Sequence, residues 1–389
     1  LMLTATPIQN RLWDLYSLVD LLTVARGHQN PFGSEGMFIR KFIADNRAQA
    51  RELKSEAREE FRAIVYGYMS RVRRGDAKLH FPSRKVFRQG VAPTPEELQL
   101  IRLIAKPIQK LNRLAQISIL QALTSSPDAC AAQLENMGRK GTFPADVAVQ
   151  FRAVVKSMKM SAKLQGLAAL VDKLKRENPQ NWRMVVFTQR RETQTTIQSY
   201  LESLGVAIGI INGDTTGKNQ ATIGAFKASP PKIHVIVSTE AGSEGVNLQA
   251  ANVLVNYDLP WNPMIVEQRV GRVQRLGSEH AQVLVYSVTL AGTFEAYIVG
   301  RLMQKLQMAS HAIGDIESLL QASGMGDGED GGAESFEDHI LRLVLDSLAG
   351  KDVEAGARAA EESIDRGSEV LAEEEKNIDE MLGAMDGAA

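Results

Sequence analysis

Short runs of apolar, largely β-branched residues recur in the second half of the chain, at Met184–Phe187, Ala207–Ile211, Ile233–Val237, Val253–Val255 and Val283–Val288. Consecutive apolar positions over so few residues are the pattern of strands covered on both faces. Helical patterns over Glu192–Leu204 and Ala221–Phe226 separate the early runs. Strand, helix, strand in that rhythm predicts a parallel sheet in a doubly wound α/β arrangement. A helix over Leu164–Leu174, entered through Ser161-Ala162-Lys163, opens this region.

The first half reads differently. Leu1–Thr4 looks like the end of a buried strand with no beginning, which predicts a piece of a longer protein. Leu12, Leu15, Leu18, Val19 and Leu22 then follow at helical spacing. Pro95-Glu96-Glu97 has the proline and acids of a helix start, and Leu98, Ile101, Ile104 and Ile108 carry the period toward Leu123 with a kink expected at Pro107. Ser125–Pro144 is rich in turn residues and lacks a period, so a flexible loop is expected there. After the strands, Thr293–Ala309 reads as a bracing helix and Gly324–Gly332 as a linker. Asp338–Leu348 and Val353–Met385 permit amphipathic helices with Ile340, Leu343, Val344 and Leu348 on one face; composition favours a solvated acidic tail.

Composition narrows the class. With 389 residues, two or three domains are expected, and 44% apolar with 23% charged residues is ordinary for a globular protein. A lone cysteine, Cys130, excludes a disulfide framework and a cysteine-built zinc site, and the six histidines are scattered singly, so no metal ligands are assigned. No apolar run approaches the roughly 18 residues of a membrane span, and the start, LMLTATP, has no basic n-region or small-residue cleavage site. These features predict the cytoplasm, as prokaryotic cytosol or nucleoid, or the nucleus of a eukaryote. The net charge of -1 conceals an asymmetry: Asp327–Ala389 holds 19 acidic and 5 basic residues, a balance of -14, leaving +13 on the rest. A basic body suits a phosphate-backbone partner, and the acidic tail offers a surface to a protein partner.

Two stretches carry candidate chemistry. In Val266–Gly277, VEQRVGRVQRLG, Arg269, Arg272 and Arg275 recur every three residues, so on a helix they are expected to form one phosphate-seeking ridge, with Gly271 leaving its flank open. Read alone, the same residues make a solvated basic face. Gly242 and Gly245 bracket Ser243 and Glu244 in a loop that must turn sharply and admit a ligand near its amides.

Taken with two further stretches, the arginines acquire a context. Leu3–Asp20, LTATPIQNRLWDLYSLVD, resembles motif III of superfamily-two helicases of the Swi/Snf-like DNA translocase type. Val237–Asn247, VSTEAGSEGVN, with Tyr257–Pro263, YDLPWNP, resembles motif V and its extension, and QRVGRVQRLG resembles motif VI. The matches fall in the family's order over roughly 275 residues.

The resemblance implies RecA-like lobes and divides the chain into 1–22, the end of a first lobe; 23–160, a helical insertion and linker; 161–312, the second lobe; and 313–389, the brace and acidic tail. It implies that Arg272 and Arg275 are arginine fingers for ATP hydrolysis. Gln268, Arg269, Gly242, Glu244, Gly245, Asn247, Thr4, Thr6, Gln9 and Asn10 would bind ATP or couple its state, with Pro7 halting the motif III strand. Thr188, Gln189 and Arg190 match motif IV and, with Thr239, Glu240, Trp261 and Asn262, are expected on nucleic acid, double-stranded DNA in this family. Mg2+ would accompany ATP on ligands of the first lobe.

Ser243, Asn219-Gln220 and Ser278 depart from the usual family residues and leave the subfamily open. Arg73–Arg74 in RVRRGDAK, Arg71–Lys78, suit either a solvated linker or nucleic acid. Gly213–Asn219, GDTTGKN, is one residue short of a phosphate loop, and Phe336–Ile340, FEDHI, follows no strand as an acidic magnesium box should. No Walker A lysine or Walker B acid is present, so the chain alone is expected to hydrolyse ATP negligibly. The expected parent is an ATP-dependent DNA translocase. The alternatives are a strand-separating helicase, the motor of a phage-defence or restriction complex, or a non-catalytic scaffold.

Overall fold

A computed structural model describes residues 12–44, 53–68, 81–213, 216–243, 246–313, 316–326 and 334–382. The motif III positions Thr4, Thr6, Pro7, Gln9 and Asn10, the Arg71–Lys78 run, and Glu244 and Gly245 lie outside these residues, as does most of the expected linker. The chain divides into two compact units, Leu1–Lys78 with Glu369–Ala389, and Leu79–Ser368.

In the first unit, α1 (Leu12–Val24), α2 (Glu35–Phe42) and α3 (Arg58–Tyr68) enclose an aromatic core. Leu12, Leu15 and Val19 of α1 are buried at helical spacing. Phe32 packs edge-on to Phe38 and Phe42, at 5.2 and 5.4 Å between ring centroids, an arrangement that sets ring edges against ring faces.

The second unit is an α/β fold around one parallel sheet. Strand β1 (Ser83–Val91) is followed by four helices, α4 (Pro95–Ile108), α5 (Arg113–Ser125), α6 (Pro127–Arg139) and α7 (Ala145–Ser157). Then come α8 (Ala162–Glu177), β2 (Met184–Phe187), α9 (Arg191–Ser203), β3 (Ile208–Ile211), α10 (Thr216–Lys227), β4 (Val235–Ser238) and the single turn α11 (Glu240–Ser243). After β5 (Val253–Asn256), α12 (Pro263–Val273) and β6 (Gln282–Leu290), a π-helical turn at Glu295–Val299 leads into α13 (Gly300–Ile313), α14 (Ile316–Ala322), α15 (Phe336–Leu348) and α16 (Glu354–Leu382), of which the residues up to Ser368 belong to this unit.

The sheet runs β1-β6-β5-β2-β4-β3, all parallel. Alternation along β2 sends Met184 and Val186 into a core with Leu167, Leu170 and Leu174 of α8, while Val185 and Phe187 enter the opposite core with Phe226 of α10 and Val270 of α12. Helices therefore cover both faces, as the apolar runs require.

Strand β1 falls within residues 23–160 and pairs along its length with β6 from Ser83 opposite Gln282 to Val91 opposite Leu290. Two sequence expectations are corrected. Ser125–Pro144 is no loop: Ser126 caps α6 by accepting from Ala129 N at 3.1 Å, Pro127 sits at the first turn, and Cys130, Ala131 and Leu134 are fully buried. The kink expected at Pro107 is a break, since α4 ends at Ile108 and α5 restarts under an Asn112 cap.

Residues 334–368 of the acidic segment are packed rather than solvated. Phe336, Ile340, Leu341, Leu343 and Val344 of α15 are buried, as are Val353, Ala357, Ala360 and Ile364. Acidic side chains of α16 meet basic ones of α13: Arg301 reaches Glu354 at 3.0 Å and Glu361 at 2.5 Å, and Lys305 reaches Asp365 at 2.5 Å. Opposite charge thus turned a tail of solvated composition into a docked helix. No described helix is long and apolar enough to cross a membrane.

Candidate functional site

Adjacent parallel strands end side by side, and their carboxyl ends bring separate sequence stretches together. Phe187 at the end of β2 is flanked by β5 and β4, and the backbone beyond stays in step: Thr188 N donates to Ser238 O at 3.1 Å and Tyr257 N to Phe187 O at 3.0 Å. Thr188–Arg190, Thr239–Gly242 and Tyr257–Asn262 therefore lie at one rim. α12 rises from the last of these, with Asn262 as its cap accepting from Met264 N at 2.9 Å and Pro263 in its first turn.

Arg269 and Asp258 tie the rim together. Arg269 is 2% exposed, so it leaves the ridge expected of the three arginines and points into the protein. Its guanidinium donates to Asn256 Oδ1 at 3.1 Å, Asp258 O at 2.8 Å, Asp258 Oδ1 at 3.3 Å and Glu240, and it lies 5.5 Å from the centre of the Phe187 ring. Every donor direction is used inside the chain, which stops this arginine from binding phosphate without first breaking ion pairs. Arg275 lies beyond the end of α12 and donates Nε to Gly271 O at 2.9 Å. Arg272 sits in the last turn of α12, half-buried, and its side chain has no hydrogen bond or ion pair among the described residues.

Asp258 is not among the residues that the sequence leads one to expect at the site. It is 1% exposed and accepts from Thr188 Oγ1 at 2.6 Å, Ser125 Oγ at 2.6 Å and Gln189 N at 3.0 Å besides Arg269. The available signal was its place two residues past the end of the apolar strand β5, where a buried carboxylate must be paired.

Two residues expected on nucleic acid are turned inward instead. Thr188 is fully buried on Asp258, and Trp261 is fully buried with its indole N–H unpaired among the described residues. Arg190 is half-buried and donates to Ser118 O at 3.0 Å; Gln189 and Glu240 are also half-buried, Thr239 is 8% exposed, and Gln268 is exposed. Asn247 closes a local turn by accepting from Gln249 N at 3.0 Å, and Leu248 N donates to Arg272 O at 3.0 Å, which fastens the end of motif V to the last turn of α12.

A second buried node lies at the start of α8. Lys163 donates to Thr124 O at 2.5 Å, Tyr257 O at 3.2 Å and the Glu295 carboxylate. Burial raises the Glu295 carboxyl above its ordinary value, and Lys163 opposes that shift. Glu97 is likewise raised by burial while accepting from Thr94 N and Ala162 N at 2.8 and 3.1 Å. These groups pin α4, α5 and α8 to the rim through internal contacts.

Residues 163–277, which carry this rim, match the helicase conserved C-terminal domain. Over 360 residues the chain is 29% identical to the uncharacterized ATP-dependent helicase YqhH of Bacillus subtilis (strain 168), covering 91% of this chain and 60% of that protein. Over 320 residues it is 26% identical to the human SWI/SNF-related matrix-associated actin-dependent regulator of chromatin subfamily A member 1, covering 80% of this chain and 29% of the relative. The chain thus spans less than two thirds of the length of either. Among solved structures, the C-terminal part of the Fun30 ATPase domain is similar at 13% identity and a TM-score of 0.46, covering 70% of this chain and all of that one.

Proposed function

We propose that this chain contributes the second RecA-like lobe of an ATP-driven motor that translocates on double-stranded DNA. The supporting observation is Arg272, a half-buried arginine whose side chain has no protein partner among the described residues, set beside an Arg269 whose donors are all engaged. A half-buried arginine whose guanidinium is left without an anion suits a phosphate arriving from outside the lobe. ATP would be held against this lobe by another that carries GxxxxGK[ST], a motif missing from this sequence.

Phosphoryl transfer needs positioning and charge stabilisation more than covalent chemistry from the protein. In this reading Arg272 supplies positive charge to the γ-phosphoryl oxygens as negative charge develops on them. Arg275, back-bonded to Gly271, is the second candidate finger, and Gln268 is an exposed amide on the same helix. Mg2+ would accompany ATP on ligands of the other lobe, and the chemistry assigned to this lobe rests on its guanidinium groups. Arg190, Gln189, Thr239 and Asn262 are the rim residues proposed nearest the DNA.

The test compares residues 1–389 alone with a two-lobe preparation containing the GxxxxGK[ST] lobe. Background hydrolysis by the first and DNA-stimulated hydrolysis by the second are expected. In the second, Arg272→Ala should lower turnover by about a thousandfold while leaving DNA affinity within about threefold. Appreciable turnover by residues 1–389 alone, or parallel loss of turnover and DNA binding in the variant, would overturn the reading. Triplex displacement without strand displacement is the expected mark of translocation; strand displacement would assign strand separation instead.

A further inference from the structure

Outside the 163–277 domain match, one side chain reaches into the centre of the rim. Ser125, the last residue of α5, is fully buried, with its Oγ 2.6 Å from Asp258 Oδ2, 2.7 Å from Thr193 Oγ1 and 3.3 Å from Thr188 Oγ1. On its other oxygen, the same carboxylate receives Arg269 Nη2 at 3.3 Å. A single buried carboxylate therefore joins the α4–α7 helices to the motif VI helix.

We infer that Ser125 is a positioning residue: through Asp258 it sets the orientation of Arg269, so that the α4–α7 helices and the motif V–VI rim move as one. A buried carboxylate rotates to suit its donors, and its hydrogen-bonded neighbours respond together. Removing the Ser125 hydroxyl leaves Thr188 alone of the two hydroxyls on Asp258 Oδ2, with Gln189 N bridging both oxygens at 3.1 and 3.0 Å, lets the carboxylate pivot about that bridge, and loosens the contact with Arg269, which also reaches Glu240. Ser126, next in sequence, serves as a built-in control. It meets Thr193 at 2.7 Å and caps Ala129 N, and its contacts do not include Asp258. The relay stands on geometry; its effect on catalysis rests on the motor reading above.

The experiment labels arginine with 15N in the full chain and follows hydrogen exchange at Arg269 Nε–H. Ser125→Ala is expected to speed that exchange by about tenfold, with Ser126→Ala leaving it within about twofold. If Ser125→Ala does not fold, Ser125→Cys, similar in shape with a weaker donor, should give an intermediate acceleration. Unchanged exchange in Ser125→Ala or Ser125→Cys, or equal acceleration in Ser126→Ala, overturns the relay. In a two-lobe preparation Ser125→Ala should lower kcat about tenfold with KM for ATP within about twofold, because the arrangement rather than nucleotide affinity is disturbed. An accelerated exchange with wild-type kcat would refute the catalytic consequence, whereas a wild-type preparation without ATP hydrolysis would refute the motor reading and leave the relay standing.

Discussion

A Cβ placed on Gly242 would stand 2.4 Å from the Cα of Asn212, closer than side-chain carbon and backbone tolerate. The glycine lets α11 press against the end of β3, so the turn of motif V is held by an approach that only a missing side chain allows. Gly271, by contrast, is exposed on α12, and a Cβ there would meet nothing within 4 Å.

Opposite outcomes are therefore expected for two alanine substitutions. Gly242→Ala should destabilise the chain by about 1–3 kcal/mol, since backbone must shift to admit the methyl group. Gly271→Ala should stabilise it by up to about 1 kcal/mol through helix propensity alone. Thermal or urea unfolding of the two variants checks the signs, and a neutral Gly242→Ala would contradict the close approach.

Two arginines three residues apart should differ as sharply. Arg269→Met strips Asp258 and Glu240 of their buried cation and should cost about 3–5 kcal/mol. Arg272→Ala removes a side chain with no partner among the described residues and should stay within about 0.5 kcal/mol. Denaturant midpoints at fixed slope would separate them; similar losses would mean that Arg272 has a structural partner.

Lys163→Met leaves the Glu295 carboxylate fully buried without its cation, again an expected loss of about 3–5 kcal/mol near neutral pH. Burial raises the Glu295 carboxyl in the folded state, and removing the lysine raises it further. A group shifted upward contributes stability that is complete below its unfolded value, near 4.5, and is lost as pH rises through the folded value. The defect of Lys163→Met should therefore shrink as pH is lowered from 8 toward 5, and adding Glu295→Gln should recover part of it. A defect independent of pH would argue that Lys163 acts only through Thr124 O and Tyr257 O.

Glu354 titrates in the other direction. Hydrogen bonds from the Tyr297 hydroxyl, Arg358 and Arg301 hold its carboxyl down at about 2. A lowered carboxyl contributes stability present above its ordinary value of 4.5 and lost as pH falls toward the folded value. Carboxyl 13C titration should show Glu354 still ionised at pH 3.5, and protease cleavage within α16 should increase only below that point. A midpoint near 4.5 would show that the contacts between α16 and the turn before α13 are not held in solution.

Much of the sheet was legible because its central strands are covered on both faces, which writes them as unbroken apolar runs at 184–187 and 253–255. β1 was obscure for the opposite reason. As an edge strand it alternates exposed and half-buried positions, and its partner β6 lies about 200 residues away in sequence. α6 escaped notice because its inward face is built largely of small residues, Ala129, Cys130 and Ala131, which give little apolar period.

At the site, spacing found the arginines and misjudged one of them. A step of three residues turns a helix by about 300°, so successive arginines drift around the axis, and Arg269 faces the sheet rather than solvent. The partners of Asp258 come from residues 125, 188, 189 and 269. No linear spacing announces a carboxylate fed from three such distant places.

The position of β1 has a practical consequence for how this lobe can be excised. A piece cut to residues 163–277 would omit both β1 and β6, leaving β5 with an unpaired backbone edge and Val253 and Val255 half uncovered. Such an edge invites pairing with a neighbouring copy. Expression of the lobe by itself should start ahead of Ser83 and carry the intervening helices with it, because the strand that closes its flank is made long before the rest of the sheet.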